Sequence, residues 1–412
     1  MVRFLAGPVS ESSKKVLTVL ILLFTLLTWR QLTLFLEESL LNEFNLPPWL
    51  ITINLIIYNV SIIIIGLLVS LVSSKNRRAY FIVLWLTTIV VIPFVLLVSL
   101  NTYTIIWAWS FILGFSFGFG FPSCLAYFAD VVPTVRRGRM SSVGFFFASL
   151  GTFLMAFLFQ NFDIIQLTIF TTFWSIFWSL LNFFLMRKKT KREINENVRL
   201  SFLNIIKNKP VYLFLISWSM FCLVDGLEEP ILNNYFGSQF YSFILPFYTL
   251  IVAIFIIIGG FISDFIGRKY AIIYGFISIG FAYAFMGIAP SLEIFWFLFF
   301  IVDAIAWGMF FPIFLIIIWG DLSSPEDREK YYVIGTFPFF LSIILRLILK
   351  EYLILIPASA AFSFASFFLF LAVIPLMFAP ETLPEKEIRR RELRKYVEKA
   401  KKIREKYEKK GT

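Results

Sequence analysis

The sequence contains no histidine and only two cysteines among its 412 residues. Without histidine, a group that carries protons near neutral pH must be an aspartate or a glutamate. Cys124 and Cys222 both lie in long apolar runs, so we expect neither a disulfide nor a metal site. A nucleophile elbow and a phosphate-binding loop are also absent from the sequence. These absences disfavour a membrane enzyme, and we expect no catalytic residue and no cofactor.

Charged residues are scarce as well, at 15% of the chain, whereas hydrophobic residues make up 59%. The hydrophobic residues form continuous runs of about 20 residues, which is the length that a helix needs to cross a bilayer. The runs do not alternate with a period of two, so helices are predicted rather than a barrel. The predicted spans are roughly residues 16–41, 49–73, 79–99, 103–129, 140–160, 164–186, 211–233, 240–262, 270–289, 294–319, 331–350 and 352–379.

The chain also contains an internal repeat at a constant offset of 191 positions. The matching pairs are Glu37 and Glu228, Glu38 and Glu229, Arg77 and Arg268, Asp130 and Asp321, and Arg137 and Arg328. Six of the predicted spans fall in each copy. A duplicated block of six spans is typical of a large class of secondary transporters, in which the substrate path lies between the halves.

Lysine and arginine are concentrated in the even-numbered loops between the predicted spans, and in the segment that follows Pro380. The positive-inside rule therefore predicts a multi-pass protein of the cell membrane with both termini in the cytoplasm. The net charge of +11 is mostly this topological signal, and we expect no nucleic-acid partner. The predicted units are an N-terminal six-helix bundle (1–186), a cytoplasmic linker (187–209), a C-terminal six-helix bundle (210–380) and a charged cytoplasmic tail helix (381–412).

One loop carries a specific motif, because residues 260–269 read G-x3-D-x2-G-R-K between the eighth and ninth spans. Gly260 allows two helices to approach closely, and Gly267 permits a tight turn. Asp264 ends the eighth span, where a carboxylate accepts hydrogen bonds from the start of a neighbouring helix. The alternative is a basic loop that only sets the topology. The motif resembles the signature loop of the major facilitator superfamily.

A second motif resembles the sugar-porter branch of that superfamily. It begins at Asp130, continues through Pro133 to Gly138, and has a partner from Asp321 to Arg328; Pro380-Glu381-Thr382 matches the ending of the same branch. The resemblance implies a cytoplasmic gate of salt bridges. Its residues are Asp130, Arg137, Gly260, Asp264, Gly267, Arg268, Lys269, Asp321 and Arg328. We expect Asp264 to pair with Arg328, and Asp321 to pair with Arg268.

The sequence departs from that branch at two places. Phe145 stands where sugar porters have a glutamine in the fifth span, and the seventh span has Asp225, Glu228 and Glu229 in place of paired glutamines. Sugar hydroxyls need several amide groups, whereas this chain offers carboxylates and aromatic rings. In the first-half copy of the loop motif, Ser73 stands where the repeat places the aspartate.

Ionisable residues inside membrane spans are costly, so each of them is a candidate for substrate or proton binding. The candidates, with one tryptophan beside them, are Arg30, Glu37, Glu38, Asp225, Glu228, Glu229, Asp303, Trp307 and Arg346. Arg30, Asp225 and Asp303 lie in spans that line the path in this superfamily. The alternative is that these residues form structural ion pairs near the extracellular rim. For Glu37, Glu38, Glu228 and Glu229 this alternative is about as well supported as substrate or proton binding.

The sequence therefore predicts an all-α membrane protein with twelve transmembrane helices in two pseudo-symmetric six-helix bundles. The expected function is transport of a small polar or charged metabolite, a sugar or an organic ion, by alternating access and coupled to protons in a sugar porter-like symporter. The expected partners are this small-molecule substrate, the lipid bilayer and protons, and we expect a monomer. The alternatives are an efflux pump for amphipathic compounds, which is disfavoured because residues 141–160 contain no proline, and a non-transporting receptor or scramblase on the same scaffold.

Overall fold

The computed structural model describes residues 11–44, 46–99, 106–186 and 200–384, together with Arg389, Leu393, Val397 and Ala400. Within these residues the chain is helical and contains no β-strand. Most of the predicted linker (187–199) lies outside the described residues. So does most of the predicted tail helix, of which the four isolated positions are helical and exposed.

Twelve described helices are long and apolar enough to cross a membrane, as the sequence predicts. In chain order they are α1 (Glu11–Glu43), α2 (Pro48–Val72), α3 (Arg78–Ser99), α4 (Ile106–Val131), α5 (Thr134–Leu158), α6 (Ile164–Met186), α7 (Lys209–Phe236), α8 (Ser238–Ile266), α9 (Arg268–Ile288), α10 (Glu293–Leu322), α11 (Arg328–Leu353) and α12 (Ala358–Phe378). A short helix, Phe202–Lys207, precedes α7. A π-helical turn, Ile313–Ile317, interrupts α10 directly after Pro312, whose ring cannot continue the regular hydrogen-bond ladder.

The helices pack as two groups of six. In the first group, α4 packs against α1, α2 and α3, and α6 packs against α1 and α3. In the second group, α10 packs against α8 and α9, and α12 packs against α7 and α9. The two groups meet mainly through α2 with α11 and through α5 with α8. These two contacts are related to each other by the repeat, because α2 corresponds to α8 and α5 corresponds to α11.

Glycines set the close contact between α5 and α8. A Cβ atom added at Gly260 would lie 2.5 Å from the carbonyl oxygen of Gly138, which is nearer than real Cβ contacts allow. Between α8 and α9 the chain turns at Gly267, whose φ of +109° is a conformation that favours glycine. The expected roles of Gly260 and Gly267 in packing and turning are therefore confirmed.

Candidate functional site

A cavity of about 500 Å³ lies between the two groups of helices. The first group contributes α1 and α5 to its wall, and the second contributes α7, α8, α10 and α11. Phe145 and Phe311 stack across the boundary between the groups, with ring centroids 6.0 Å apart, and both line the cavity. The cavity is thus bounded by both halves of the repeat.

Carboxylates from the second group line one side of this cavity. They are Asp225, Glu228, Glu229 and Asp303. The Trp307 indole N–H donates a hydrogen bond to Asp225 Oδ1 at 2.6 Å, and the Tyr248 hydroxyl donates to Asp303 Oδ2 at 2.8 Å. Two aromatic donors therefore hold these two carboxylates in fixed orientations.

Arg346 is the only cationic residue in the described lining of the cavity. Its guanidinium forms an ion pair with Glu229, and their side chains are 25% and 48% exposed. This pair lies where the cavity reaches solvent, so Glu229 and Arg346 form a rim, as one of the two sequence readings expects. The six candidates Asp225, Glu228, Glu229, Asp303, Trp307 and Arg346 are brought together around one space.

The three candidates of α1 lie elsewhere. Arg30 donates a hydrogen bond to the Tyr58 hydroxyl at 3.0 Å, and its guanidinium also lies against the rings of Phe117 and Phe340. Glu37 is completely buried beside Ser110, and Glu38 is exposed. None of the three lines the cavity, so the expectation that Arg30 shares a path with Asp225 and Asp303 is not met in this conformation.

Charged residues close the opposite end of the helix bundle, where the loops α2–α3, α4–α5, α8–α9 and α10–α11 lie. We call this set the ion-pair ring. Its salt bridges are Arg78–Asp130, Arg78–Glu329, Arg137–Asp321, Arg139–Asp264, Arg268–Asp264, Arg268–Asp321 and Arg328–Asp130. Four of them join the two groups of helices: Arg78–Glu329, Arg137–Asp321, Arg139–Asp264 and Arg328–Asp130.

The ring follows the internal repeat. Asp130 at the end of α4 pairs with Arg328 at the start of α11, and its counterpart Asp321 at the end of α10 pairs with Arg137 near the start of α5. Each acid thus reaches across to the other half. Most of the ring side chains are buried; those of Arg137, Asp264, Arg268 and Asp321 are at most 3% exposed.

The sequence matches the family model of the Major Facilitator Superfamily over two segments, residues 17–228 and 226–407. The chain belongs to this superfamily. Its fold and the twelve apolar helices among its described residues identify it as a multi-pass membrane protein with a transporter architecture.

Solved structures of major facilitator proteins share the fold. The human organic anion transporter MFSD10 (TETRAN) is 17% identical with a TM-score of 0.69, covering 89% of this chain and 100% of that chain. A bacterial homologue of the iron transporter ferroportin in an outward-facing state is 10% identical with a TM-score of 0.69, covering 90% of this chain and 98% of that chain. The same homologue with soaked iron gives a TM-score of 0.68. At these identities the likeness shows the fold alone, and no curated protein sequence matches this chain.

The motif loop of this major facilitator chain holds α5 and α9 in place. The two carboxylate oxygens of Asp264 accept hydrogen bonds from the backbone N–H groups of Gly138 and Arg139, at 3.1 and 3.0 Å. Arg268 also contacts Asp321, with 3.3 Å between Nε and Oδ2, so this expected pair is confirmed. The expected pairing of Asp264 with Arg328 is wrong, because the start of α5 occupies Asp264 and Arg328 binds Asp130.

The ending after α12 is part of the same assembly, which the sequence motif alone did not show. Glu381 accepts hydrogen bonds from the backbone N–H groups of Arg268 and Lys269 at 2.9 and 3.1 Å. A carboxylate at this position satisfies the free N–H groups at the start of α9. The Thr382 hydroxyl donates to Asp321 Oδ2 at 3.1 Å. Lys269 lies at the edge, where its Nζ donates to the Met377 carbonyl.

Glu329 is a ring member that sequence reasoning missed. Its carboxylate accepts hydrogen bonds from the Arg78 guanidinium and from the Ser73 hydroxyl. The internal repeat gave no signal for it, because the counterpart of Glu329 is Gly138. The available signal was Ser73, where the repeat would place an aspartate. The carboxylate that is missing there has to come from another residue.

Proposed function

We propose that this chain is a secondary active transporter that moves a small polar or charged metabolite across the membrane by alternating access. The observation that carries the proposal is the opposition of the cavity and the ion-pair ring at two ends of one bundle. The ring joins the halves at one end, while Glu229 is exposed at the cavity mouth at the other. Breaking the ring and closing the mouth would turn the same cavity towards the other side of the membrane.

The distribution of basic residues supports an orientation. The loops of the ion-pair ring carry the lysines and arginines, and by the positive-inside rule this supports a cytoplasmic location for this end. The structure then corresponds to an outward-facing state in the cell membrane, with both termini in the cytoplasm. One copy contains both halves and the whole cavity, which supports a monomer as the working unit.

Asp303 and Asp225 support proton coupling. Asp303 is 6% exposed, and its Oδ1 has no hydrogen-bond partner among the described residues. The groups that face these two acids are Glu228 of α7, Tyr248 of α8, Tyr283 of α9, Trp307 of α10 and Arg346 of α11. A proton taken up from one side neutralises a costly buried charge, and a proton bound in one access state more tightly than in the other drives the exchange between states.

The cavity supports a charged solute more than a sugar. The gate motifs resemble sugar porters, but Gln31 is the only amide side chain in the described lining. Phe145, at the position where that branch has a glutamine, also lines the cavity. Sugar hydroxyls would find carboxylates and aromatic rings there, with few groups that both donate and accept hydrogen bonds.

A second candidate function is efflux of amphipathic compounds. The aromatic part of the cavity wall favours it, because apolar rings bind the apolar part of such compounds. These residues are Phe145, Phe299, Phe300, Trp307, Phe311 and Phe339. Both candidates use the same cavity, and they differ in the direction in which the solute moves.

Reconstitution into liposomes tests the proposal. Purified full-length protein is incorporated into vesicles with a pH gradient of either sign. Radiolabelled sugars, organic anions, organic cations and amphipathic dyes are then offered one at a time. We expect at least one solute to accumulate, and to be released when a protonophore collapses the gradient. Protein-free vesicles are the control. If no solute class accumulates under either gradient, the chain is not a proton-coupled carrier, and a receptor or scramblase role takes its place.

A further inference from the structure

The charge of the cavity is unbalanced. Four carboxylates line it against a single cation, and Glu229 at the rim already pairs with that cation, Arg346. Asp225, Glu228 and Asp303 are left without a salt bridge in the described part of the cavity. Their described hydrogen-bond donors are neutral, and Arg346, whose charge also acts on Asp225, is the single cation in the described lining.

Two of these carboxylates have an oxygen that is ready to accept a bond. Asp303 Oδ1 and Glu228 Oε2 are buried and have no hydrogen-bond partner among the described residues. Both residues are 6% exposed, and both line the cavity. A buried acceptor that is left unsatisfied is costly, so these two oxygens mark the place where a ligand donates.

Aromatic rings surround the same acids. The Trp307 indole, which donates to Asp225, has its ring centroid 4.5 Å from that of Phe311. The Tyr248 hydroxyl donates to Asp303, and its ring centroid lies 6.5 Å from that of Phe300. Aromatic faces attract cations through their quadrupoles and also bury apolar groups. The wall therefore suits a cation with an apolar body.

We propose that the solute is an organic cation, a protonated amine with N–H donors and an aromatic or alkyl body. The ammonium group binds between Asp303, Glu228 and Asp225, and the body packs on Trp307 and the phenylalanines. This proposal rests on the proposed transport function and adds the substrate class to it. The cavity volume of about 500 Å³ lies in the usual range for pockets that bind small organic molecules.

Other solute classes fit these residues less well. An organic anion would meet four carboxylates and one cation, Arg346, in the described lining. A bare metal ion would need a cluster of ligands, and the described residues contain no group of three or more histidine, cysteine, aspartate or glutamate residues arranged to hold one. A sugar would find one amide, Gln31.

A matched set of three ligands tests the proposal. 2-Phenylethylammonium is charged at neutral pH and has N–H donors, 3-phenylpropanamide is neutral, and 3-phenylpropanoate is an anion of similar shape. Binding to the full-length protein in lipid nanodiscs is measured by calorimetry. We expect the cation to bind at least about tenfold more tightly than the other two, as charge and aromatic contacts add. Equal or tighter binding of the amide or the anion would overturn the proposal.

Three variants separate charge from folding. Asp303→Asn should weaken binding of the cation about tenfold or more, and Arg346→Gln should strengthen it because it removes the competing cation. A misfolded protein cannot produce the second result. Glu293→Gln, an exposed acid at the start of α10 outside the cavity lining, is the control and should change nothing. Unchanged cation affinity in both cavity variants would also refute the assignment.

The failure of this inference can be told apart from the failure of the transport function. The same ligands are tested as solutes in the reconstituted vesicles. Accumulation of a sugar or an organic anion, without the cation, would leave the transporter in place and overturn the organic cation. Accumulation of the cation, which is lost in Asp303→Asn and kept in Glu293→Gln, would support both.

Discussion

Arg78 of α3 and Glu329 of α11 form a buried ion pair that joins the two halves of the molecule. The Arg78 Nε and Nη2 atoms each lie 2.8 Å from an oxygen of Glu329, and both side chains are 1% exposed. In the other half of the ring, Asp264 at the end of α8 supplies the corresponding carboxylate to the start of α5. Both contacts between the halves therefore contain a buried acid, but between α2 and α11 it comes from α11, because Ser73, directly after α2, stands at the repeat position of Asp264.

This relationship predicts a compensating double variant. Glu329→Gln leaves the buried Arg78 with Asp130 as its one described carboxylate partner, and should destabilise the closed ring by about 1–3 kcal/mol. Adding Ser73→Asp should restore closure, because Ser73 is the repeat counterpart of Asp264 and already donates a hydrogen bond to Glu329. For the measurement, a cysteine replaces Ser142 of α5 in a background without Cys124 and Cys222. A membrane-impermeant thiol reagent is added from the ring side, and the rate at which it labels this cysteine is measured.

The control for this pair is Glu326→Gln, which changes a nearby acid outside the ring. In this control, the cysteine at position 142 should be labelled as slowly as in the protein with an intact ring. If Ser73→Asp leaves the Glu329→Gln protein as reactive as before, the acid at the two positions is not interchangeable and the idea fails.

A second prediction concerns the contact between α5 and α8. Gly260→Ala inserts a methyl group 2.5 Å from the Gly138 carbonyl oxygen, so the ring end cannot close fully. We expect the variant to favour the state that is open at the ring end, and to lose binding of solute that enters through the cavity mouth at the opposite end. Gly151→Ala is the matched control, because its added Cβ meets no atom nearer than 3.7 Å. Equal behaviour of the two variants in thiol labelling would show that close packing at Gly260 does not set the equilibrium.

The third prediction concerns the acids of the cavity. Asp303→Asn and Asp225→Asn should abolish uptake that is driven by a pH gradient, because an amide side chain does not take up or release a proton near neutral pH. Uptake by these variants is compared with that of Glu293→Gln in the same vesicles. Should both variants still concentrate the solute against its gradient, the proton must travel on another group.

The fourth prediction concerns Glu381. Glu381→Gln removes the charge that faces the N–H groups at the start of α9. It should lower the free energy of unfolding by about 0.5–2 kcal/mol, and the midpoint of thermal unfolding with it. Thermal unfolding followed by intrinsic fluorescence measures the change, with Glu351→Gln, an exposed acid near the end of α11, as the control. A midpoint equal to that of the control would mean that this contact contributes little.

The sequence predicted the helices well, because apolar runs and basic loops are local signals. The second predicted span, 49–73, compares with Pro48–Val72, and the third, 79–99, compares with Arg78–Ser99. The ring was predicted in part, since charges flank every span at that end: Asp130, Arg137, Asp264, Arg268, Asp321 and Arg328 were predicted, whereas Arg78, Arg139 and Glu329 were not. Its partners were predicted only in part, because the repeat relates Asp264 to Ser73 and does not say which helix start each acid meets.

The cavity shows the same limit. Asp225 and Asp303 were singled out because charge inside an apolar run is conspicuous, and Trp307 was chosen because it lies four residues after Asp303. Arg30 satisfies the same rule, yet its side chain is held by Tyr58 and two phenylalanines away from the cavity lining. Tyr248 was not among the candidates, although its hydroxyl donates a hydrogen bond to Asp303. The direction of a side chain depends on contacts between helices, which periodicity along one helix does not encode.

The most direct test of the account measures both ends of the molecule at once. Spin labels on Asn76 and Tyr270 report the ring end, and labels on Gln160 and Glu351 report the opposite end; all four residues are exposed. Double electron–electron resonance compares the cysteine-free parent with the same protein carrying Asp264→Asn and Glu329→Gln. We predict that the ring-end distance lengthens while the opposite distance shortens. A ring end that opens while the opposite distance stays fixed would contradict alternating access in this protein.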